Sequence, residues 1–382
     1  MRISYRQILA TNEVFRHLGN LRRWTSFSAQ AKYNELSKQS LNCITAFILA
    51  CFAENEGKVI HWERFPKIAL YRAYQKAHVL FDTPEHIIDD VCRLGNINRD
   101  VFDETTRQII TEETDQVFSD FLASGSGTFE ENIYRAATKV ATLVELMEIS
   151  SAISPQSYLR KSQEISKALQ QYYQTVPGLE YVADSSGQIF QVLQVLSHLR
   201  NRTRWAAHSY TVECSVLGHL FDTSFFAYFM ALEQKPSDEA NAAKMFWMGI
   251  FHDVAECWTS DIPSPIKDRI VGFRKATELY EQEKLDLEFY SKLPPFVRKK
   301  LQSLLAEMDG NEQTHKLIKG ADYLSADSEC WRQYIGGSRD PYFRGAINRR
   351  TKKIDNRDVI LTPECKRLFE YFVEYSKKLD LE

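Results

Sequence analysis

The residue types best suited to chemistry in this sequence are an adjacent histidine and aspartate, His252 and Asp253. Such a pair offers one metal ion an imidazole nitrogen and a carboxylate oxygen within a short length of chain. Apolar residues at helical spacing precede the pair, which predicts a mostly buried helix that ends near Thr259. Glu256 follows His252 by four residues, so on a helix it shares the same face. A carboxylate there could move a proton beside a metal.

Two other segments contribute residues of the same chemical type. Residues 207–213 predict the start of an amphipathic helix with His208 near its beginning. A later apolar helix contains the lone carboxylate of Asp322, which would be costly to bury without a partner. Between them, the run from Asp261 to Lys267 follows the His-Asp pair at short range and contains two prolines.

In this order the motifs resemble the HD-domain metal-dependent phosphohydrolases, whose pattern is His…His-Asp…Asp. Residues 188–345 resemble more narrowly the bacterial 5′-deoxynucleotidase branch, called YfbR-like. The resemblance implies an enzyme that removes the 5′-phosphate from deoxynucleoside or ribonucleoside monophosphates. Two alternatives stay open. One is an HD hydrolase of a triphosphate, an alarmone or a cyclic nucleotide, and the other is a nucleotide-binding regulatory protein.

The resemblance also assigns roles within the site. The expected metal ligands are His208, His252, Asp253 and Asp322. Two imidazoles and two carboxylates suit one divalent transition metal (Mn, Co, Zn, Ni or Fe) better than Mg or Ca. Glu256 is the candidate for acid–base work or for orienting the attacking water. Asp261 resembles the family aspartate that meets the sugar hydroxyl.

The phosphate-binding residues are expected just before the first histidine. Arg204 and Trp205 are the first choice and Arg202 the next, because guanidinium groups fit phosphate and tryptophan can cover a base. Lys267 could reinforce the phosphate end. Relatives usually have a longer loop between the Arg-Trp pair and the histidine, whereas Trp205 stands only three residues before His208. His219 lies on an apolar helix face and is expected to be a core histidine.

Helical periodicity runs through most of the chain and predicts an all-α fold. Similar segments recur in the same order in both halves, and with the family resemblance they imply two tandem HD-type domains, residues 1–172 and 173–382. The first domain is a degenerate copy in which Arg23 and Trp24 match the Arg-Trp segment. At the positions of the four expected ligands it has Gln39, Gln75, Lys76 and Ala141. We therefore expect no metal there, and a role in packing, dimerisation or regulation; a homodimer is one arrangement that this allows.

Composition narrows the class of partner. The formal net charge of −3 provides no bulk basic field for long nucleic acid, so a small nucleotide is the expected partner. The seven scattered cysteines form no paired motif, which favours reduced thiols and a cytoplasmic protein. We find no signal peptide, and no run approaches the ~18 uninterrupted apolar residues of a membrane span.

Overall fold

The computed structural model describes residues 3–25, 33–259, 264–356 and 361–379. Over these ranges the regular elements are helices, with two isolated β-bridges, so the prediction of an all-α fold is confirmed. In the first half the α-helices are α1 (Tyr5–Asn20), α2 (Glu35–Asn55), α3 (Arg64–Gln75), α4 (Glu85–Gly95), α5 (Asp100–Glu113), α6 (Gln116–Ala123), α7 (Phe129–Glu148) and α8 (Pro155–Gln170).

The second half of the chain is also helical. Its α-helices are α9 (Leu179–Val182), α10 (Gln188–Ser197), α11 (Val216–Gln234), α12 (Glu239–Phe251), α13 (Glu256–Thr259), α14 (Ser264–Arg269), α15 (Phe273–Lys284), α16 (Pro295–Gly310), α17 (Glu312–Ile335), α18 (Pro341–Arg344), α19 (Ala346–Asp355) and α20 (Pro363–Leu379). Two π-helical turns, Lys76–Leu80 and Leu285–Phe289, follow α3 and α15. Short 3₁₀ turns occupy Ser150–Ala152, His198–Asn201 and Tyr290–Lys292.

Helix α11 lies at the centre of the protein, where it packs against α12, α17 and α2. It buries residues on every side, which explains why its sequence is apolar all round rather than amphipathic. Its first turn is fixed by Ser215, whose hydroxyl accepts the backbone N–H of Gly218. Against α2 the contact is polar at one point, because Ser37 Oγ lies 2.8 Å from Ser215 Oγ.

One hydrophobic core runs through both halves of the chain. Phe47 on α2, for example, packs edge-on against Trp247 and Phe251 on α12, with ring centroids 5.2 and 5.0 Å apart. The division into domains 1–172 and 173–382 stays a prediction, and the two segments share a packed interior. Helix α2 is long and apolar enough to cross a membrane by composition, yet 94% of its most apolar window is buried within the protein.

Two local predictions around the site need correction. Residues 202–214 form a loop rather than a helix, because Thr203 bridges to Ser215 and the helix begins only at Val216. The helix before the His-Asp pair ends at Phe251, and His252 is its C-terminal cap. A turn then leads into the short helix α13, which begins at Glu256 and ends at Thr259. In contrast, the spacing of apolar residues after Pro363 predicts a last helix from Pro363 to Leu379, and the structure has that helix over Pro363–Leu379.

Candidate metal centre

Three helices bring two histidines and a carboxylate together. His219 comes from α11, His252 from the end of α12 and Asp322 from α17, and one potential ligand atom of each lies within 4.8 Å of the others. His219 Nε2 is 3.1 Å from Asp322 Oδ1, and the two imidazole rings have centroids 5.6 Å apart. This donor set suits a first-row divalent metal.

His219 takes the position that the sequence analysis gave to His208. The His208 ring lies in the loop before α11, where it stacks on Tyr342 at a centroid distance of 4.0 Å, and its Nδ1 is 3.4 Å from Asp340 Oδ2. His208 is absent from the cluster because the loop ends only at Ser215, so the helix that faces the site starts later than predicted. The candidate first ligand is therefore His219, a residue expected to be only a core histidine.

The orientation of His252 leaves one nitrogen available to the cluster. Its Nδ1 is 2.8 Å from the carbonyl oxygen of Gly249, which can only accept, so Nδ1 carries the proton. Nε2 is buried and makes no hydrogen bond to the residues that the structure describes. Asp253 Oδ2 lies 3.1 Å from this nitrogen, but without the geometry of a hydrogen bond. A buried ring nitrogen that has no hydrogen-bond partner among the described residues and faces other ligands fits a metal centre.

His219 is also oriented by contacts to the ring nitrogen that faces away from the cluster, Nδ1. Its Nδ1 lies 2.8 Å from Ser325 Oγ and 3.5 Å from Glu329 Oε1, which turns Nε2 toward Asp322. Burial and Arg204 lower the pKa of His219, but the hydrogen bonds to Asp322 and Glu329 outweigh them and raise it to about 9. The carboxylates around this ring therefore favour a positive charge at the site.

The two carboxyl groups of the site are ionised. Burial raises the pKa of Asp253, but His252 outweighs it and holds that pKa below its usual range. Burial also raises the pKa of Asp322, and there Lys319 and His219 outweigh it, so the pKa lies well below normal. Asp253 lies beside the three clustered residues. Carboxylates must be deprotonated to bind a metal, so their charge state fits the proposed ligand set.

Arg204 and Trp205 reach the centre through one shared carboxylate. Arg204 Nε and Trp205 Nε1 both donate to Glu329 Oε2 at 2.9 Å, while Glu329 Oε1 faces His219. Burial raises the pKa of Glu329, but Arg204 and His219 outweigh it and lower it to about 2. Trp205 adopts a positive φ of 63°, which turns the chain sharply before α11. We call this turn, formed by Arg204 and Trp205 with their partner Glu329, the corner of the site. Arg204 is thus largely buried in an internal ion pair, and its contact with substrate stays a prediction.

The remaining predicted site residues lie around this corner and α13. Arg202 is exposed at the surface. Lys267 Nζ lies 3.7 Å from Glu281 Oε1. Glu256 begins α13 and its backbone N–H donates to the carbonyl of Asp253 at 3.1 Å, so the expected helical spacing from His252 does not apply across the intervening turn. Asp261 lies outside the described residues.

Lys319 is a charged group that the sequence analysis did not assign a role. Its ammonium group forms an ion pair with Asp322 Oδ2, and half of its side chain is exposed to solvent. The signal was present in the sequence, because Lys319 precedes Asp322 by three residues and residues at that spacing share a helix face. The sequence also contained a signal for His219. It follows Trp205 by fourteen residues, and this spacing agrees with the longer loop that relatives have between the Arg-Trp pair and the first ligand histidine.

An all-helical scaffold that joins a His-Asp pair to a histidine and an aspartate from two other helices has the arrangement expected of an HD-type domain. Comparison with known proteins agrees: residues 191–375 match the family model described as 5′-deoxynucleotidase YfbR-like, so the second half of this chain is similar to that family. A match over these residues leaves the first half of the chain outside the family model.

Individual relatives show the same partial coverage. A 5′-deoxynucleotidase of Photobacterium profundum is 28% identical over 176 residues, which are 45% of this chain and 86% of that protein. One from Enterobacter sp. strain 638 is 27% identical over 167 residues, 42% of this chain and 81% of its own length. One from Yersinia pestis is 28% identical over 150 residues, 38% of this chain and 74% of its own length.

Proposed function

We propose that the second half of the chain is a metal-dependent phosphohydrolase that removes the 5′-phosphate from deoxynucleoside monophosphates. The observation that carries the proposal is the cluster of His219, His252 and Asp322, in which the buried Nε2 of His252 has no hydrogen-bond partner among the described residues. The match to a family described as 5′-deoxynucleotidase, and relatives with that name, support the substrate class.

In this proposal the ligands are His219, His252 and Asp322, with Asp253 beside them. A bound divalent metal lowers the pKa of water towards ~7 and polarises a phosphoryl group. Gly249 and Ser325 orient the two imidazoles through their other nitrogens. The ammonium of Lys319 stands next to Asp322 with half of its side chain in solvent, where it can meet a phosphate oxygen.

Two carboxylates complete the proposed chemistry. Glu256, at the first turn of α13, is close in sequence to the ligands and partly buried, which suits a group that holds or moves a proton. Asp261, which lies outside the described residues, keeps the role implied by resemblance, namely to accept the 3′-hydroxyl and leave no room for a 2′-hydroxyl. That role would give preference for deoxyribose.

The internal ion pairs favour a monophosphate over a longer phosphate chain. Arg200, Arg202 and Arg204 are three closely spaced cations that a triphosphate could use. Arg200 Nη1 is fully buried against Glu145 Oε1 at 2.8 Å, and Arg204 is bound to Glu329. Of these three side chains, that leaves Arg202 exposed to solvent. A triphosphate needs several cations that are free to bind it, and two of these three arginines are already bound to internal carboxylates.

The test is phosphate release from a panel of deoxyribonucleoside and ribonucleoside 5′-monophosphates, with Mn or Co added, by the full-length protein. The proposal predicts release from deoxynucleotides that is lost in Asp322→Ala, and weaker release from ribonucleotides. Deoxynucleoside triphosphates and cyclic nucleotides in the same panel cover the alternatives. Release from these compounds, with none from any monophosphate, would contradict the proposed substrate.

A further inference from the structure

The first half of the chain repeats the corner that supports the metal centre. The backbone N–H of Arg23 donates to the carbonyl of Tyr33 at 2.9 Å, and that of Arg204 donates to Cys214 at 2.8 Å. Trp24 and Trp205 both have positive φ, 59° and 63°. Each indole N–H donates to a buried glutamate at 2.9 Å, Glu145 in the first half and Glu329 in the second.

The repeated corner fixes the register between the two halves. Arg22 bridges to Asn34 as Thr203 bridges to Ser215, and Asn34 and Ser215 are the N-caps of α2 and α11. Each pair differs by 181 positions, and at the same spacing the counterpart of His219 is Lys38. The glutamates differ by 184 positions, which makes Thr138 the counterpart of Asp322. The sequence comparison had paired Gln39 with His208 and Ala141 with Asp322.

In place of two metal ligands, the first half therefore has a lysine and a threonine, and Lys76 approaches from the end of α3. Lys38 is 5% exposed, and it feels the charges of Arg23, Lys76, Glu35 and Glu145. Burial and Arg23 lower the pKa of Lys38 to about 7, outweighing the two glutamates. Two lysine amines, one from α2 and one from the end of α3, thus lie in the part of the first half that corresponds to the metal centre.

The carboxylates nearby are already bound to other groups. Arg23 Nη1 lies 2.7 Å from Glu35 Oε2, and Gln39 Nε2 donates to Glu35 Oε1 at 2.9 Å. Glu145 accepts from Arg23 and Trp24 on one oxygen, and from Arg200 on the other.

The two lysines are left with little direct pairing. Among the residues that the structure describes, Lys38 has no hydrogen bond or ion pair. Lys76 Nζ reaches the carbonyl of Thr83 at 3.4 Å, and it senses Glu35 and Asp82 through space. Lys38 is buried and Lys76 is half-buried, so both amines lose hydration when they are charged, and an anion beside them would stabilise the charged forms.

We propose that Lys38 and Lys76 bind a phosphate dianion at the position in the first half that corresponds to the metal centre. Two ammonium groups carry the same total charge as a divalent metal, but they provide no metal-activated water. The site therefore binds a phosphate group without hydrolysing it, and the group can come from inorganic phosphate or from a nucleoside monophosphate. This inference rests on first-half residues and is independent of the function proposed for the second half.

The test measures the thermal unfolding midpoint of the full-length protein in chelator, titrated with inorganic phosphate against chloride of equal ionic strength. We expect saturable stabilisation of the wild type by phosphate. His252→Ala, which alters the metal centre, and Lys58→Met, which removes an exposed lysine from the first half, should respond in the same way. Lys38→Met should lower the apparent phosphate affinity roughly ten- to a hundredfold, since a charged hydrogen bond is lost.

Folding of the variant distinguishes this site from a merely structural lysine. Without phosphate, Lys38→Met should unfold at the same or a higher temperature than the wild type, because a buried amine that makes no hydrogen bond is replaced by an apolar side chain. Lys76→Met is the second variant and should also lose the phosphate response. A wild type that phosphate does not stabilise, or lysine variants that respond like the wild type, would overturn the proposal.

The source of the phosphate group is resolved by repeating the titration with a deoxynucleoside 5′-monophosphate and with the free nucleoside. An affinity for the nucleotide at least tenfold above that for phosphate, with no response to the nucleoside alone, identifies a nucleotide site. Equal affinities identify a site for the phosphate group itself. Either result supports the anion site, and a response to the free nucleoside that equals the nucleotide's contradicts it.

Discussion

At the scale of single residues, Glu329 connects the parts of the second-half site. One oxygen accepts hydrogen bonds from Arg204 and Trp205, and the other faces His219. The glutamate is buried together with its arginine, so each depends on the other for its charge. We infer that Glu329 is a positioning residue, which holds the His219 ring so that Nε2 faces Asp322.

Glu329→Gln should therefore weaken metal binding as well as stability. Without the charge, Arg204 is left in a buried position without an anion, which costs about 3–5 kcal/mol. Loss of the partner behind a ligand histidine lowers metal affinity by about 10–100-fold. The measurements are denaturant unfolding and titration with Mn or Co.

The matched control for that change is Glu145→Gln. Glu145 binds Arg23, Trp24 and Arg200 in the corresponding corner of the first half. It should destabilise the protein by a similar amount and leave metal affinity unchanged. Equal losses of metal affinity in the two variants would show that the effect is one of general stability, and would refute the positioning role.

The residue-scale signals explain what the sequence could reveal about the site. His252 and Asp322 were identifiable because a His-Asp pair and a lone aspartate in an apolar helix are unusual. His219 was passed over because a buried histidine on an apolar helix is usually a core residue, and the partners that reveal its role, Ser325 and Glu329, come from α17. Those contacts depend on tertiary structure and have no local sequence pattern.

At the scale of helices, the site depends on how closely α11 and α12 approach. Gly249 on α12 faces Ser224 on α11, and a Cβ at Gly249 would lie 2.5 Å from Ser224 Cα. The obstacle is backbone, which cannot rotate away as a flexible side chain could. Gly249 also supplies the carbonyl that accepts from His252 Nδ1, so this crossing sets the position of the ligand.

Gly249→Ala is expected to separate the two helices. Overpacking of this kind costs about 1–3 kcal/mol, and the shift of α12 should also reduce metal affinity through His252. The control is Gly310→Ala at the end of α16, where a Cβ meets nothing within 4 Å. Unfolding and metal titration of both variants provide the comparison. A Gly249→Ala protein as stable as the wild type would contradict the tight crossing.

Helix boundaries show where periodicity succeeds and where it does not. The C-terminal helix was predicted over the same residues that the structure has, because its apolar residues repeat regularly and Pro363 marks the start. Residues 207–213, within the loop over 202–214, were mistaken for the start of a helix, since their composition does not exclude one. The ends of the loop are fixed by the bridge between Thr203 and Ser215, a contact that periodicity cannot reveal.

At the scale of the whole molecule, the two halves form one packed unit around α2 and α11. Phe47 of the first half lies among Trp247 and Phe251, one residue before His252. The hydroxyl of Ser40 donates to the carbonyl of Leu217, which adds a direct link between the two central helices. The first half therefore supports the metal centre mechanically, whatever ligand it binds.

Phe47→Ala should destabilise the whole chain in a single transition. Truncation of a buried phenylalanine costs about 3–5 kcal/mol, and the shared core predicts that helices of both halves unfold together. Phe81→Ala is the control, because that ring is half exposed. Calorimetry of the two variants tests the claim. Two separate transitions in the wild type, with Phe47→Ala shifting one alone, would show that the halves are independent.

The most direct test of the metal centre is the metal content of two histidine variants of the full-length protein, measured after equilibration with Mn or Co and removal of free ion. His208→Ala and His219→Ala remove the same side chain from positions eleven residues apart. The structure predicts one bound ion per chain in the wild type and in His208→Ala, and loss of binding in His219→Ala. Retention of the ion by His219→Ala, with its loss in His208→Ala, would contradict the assignment of the centre to His219, His252 and Asp322.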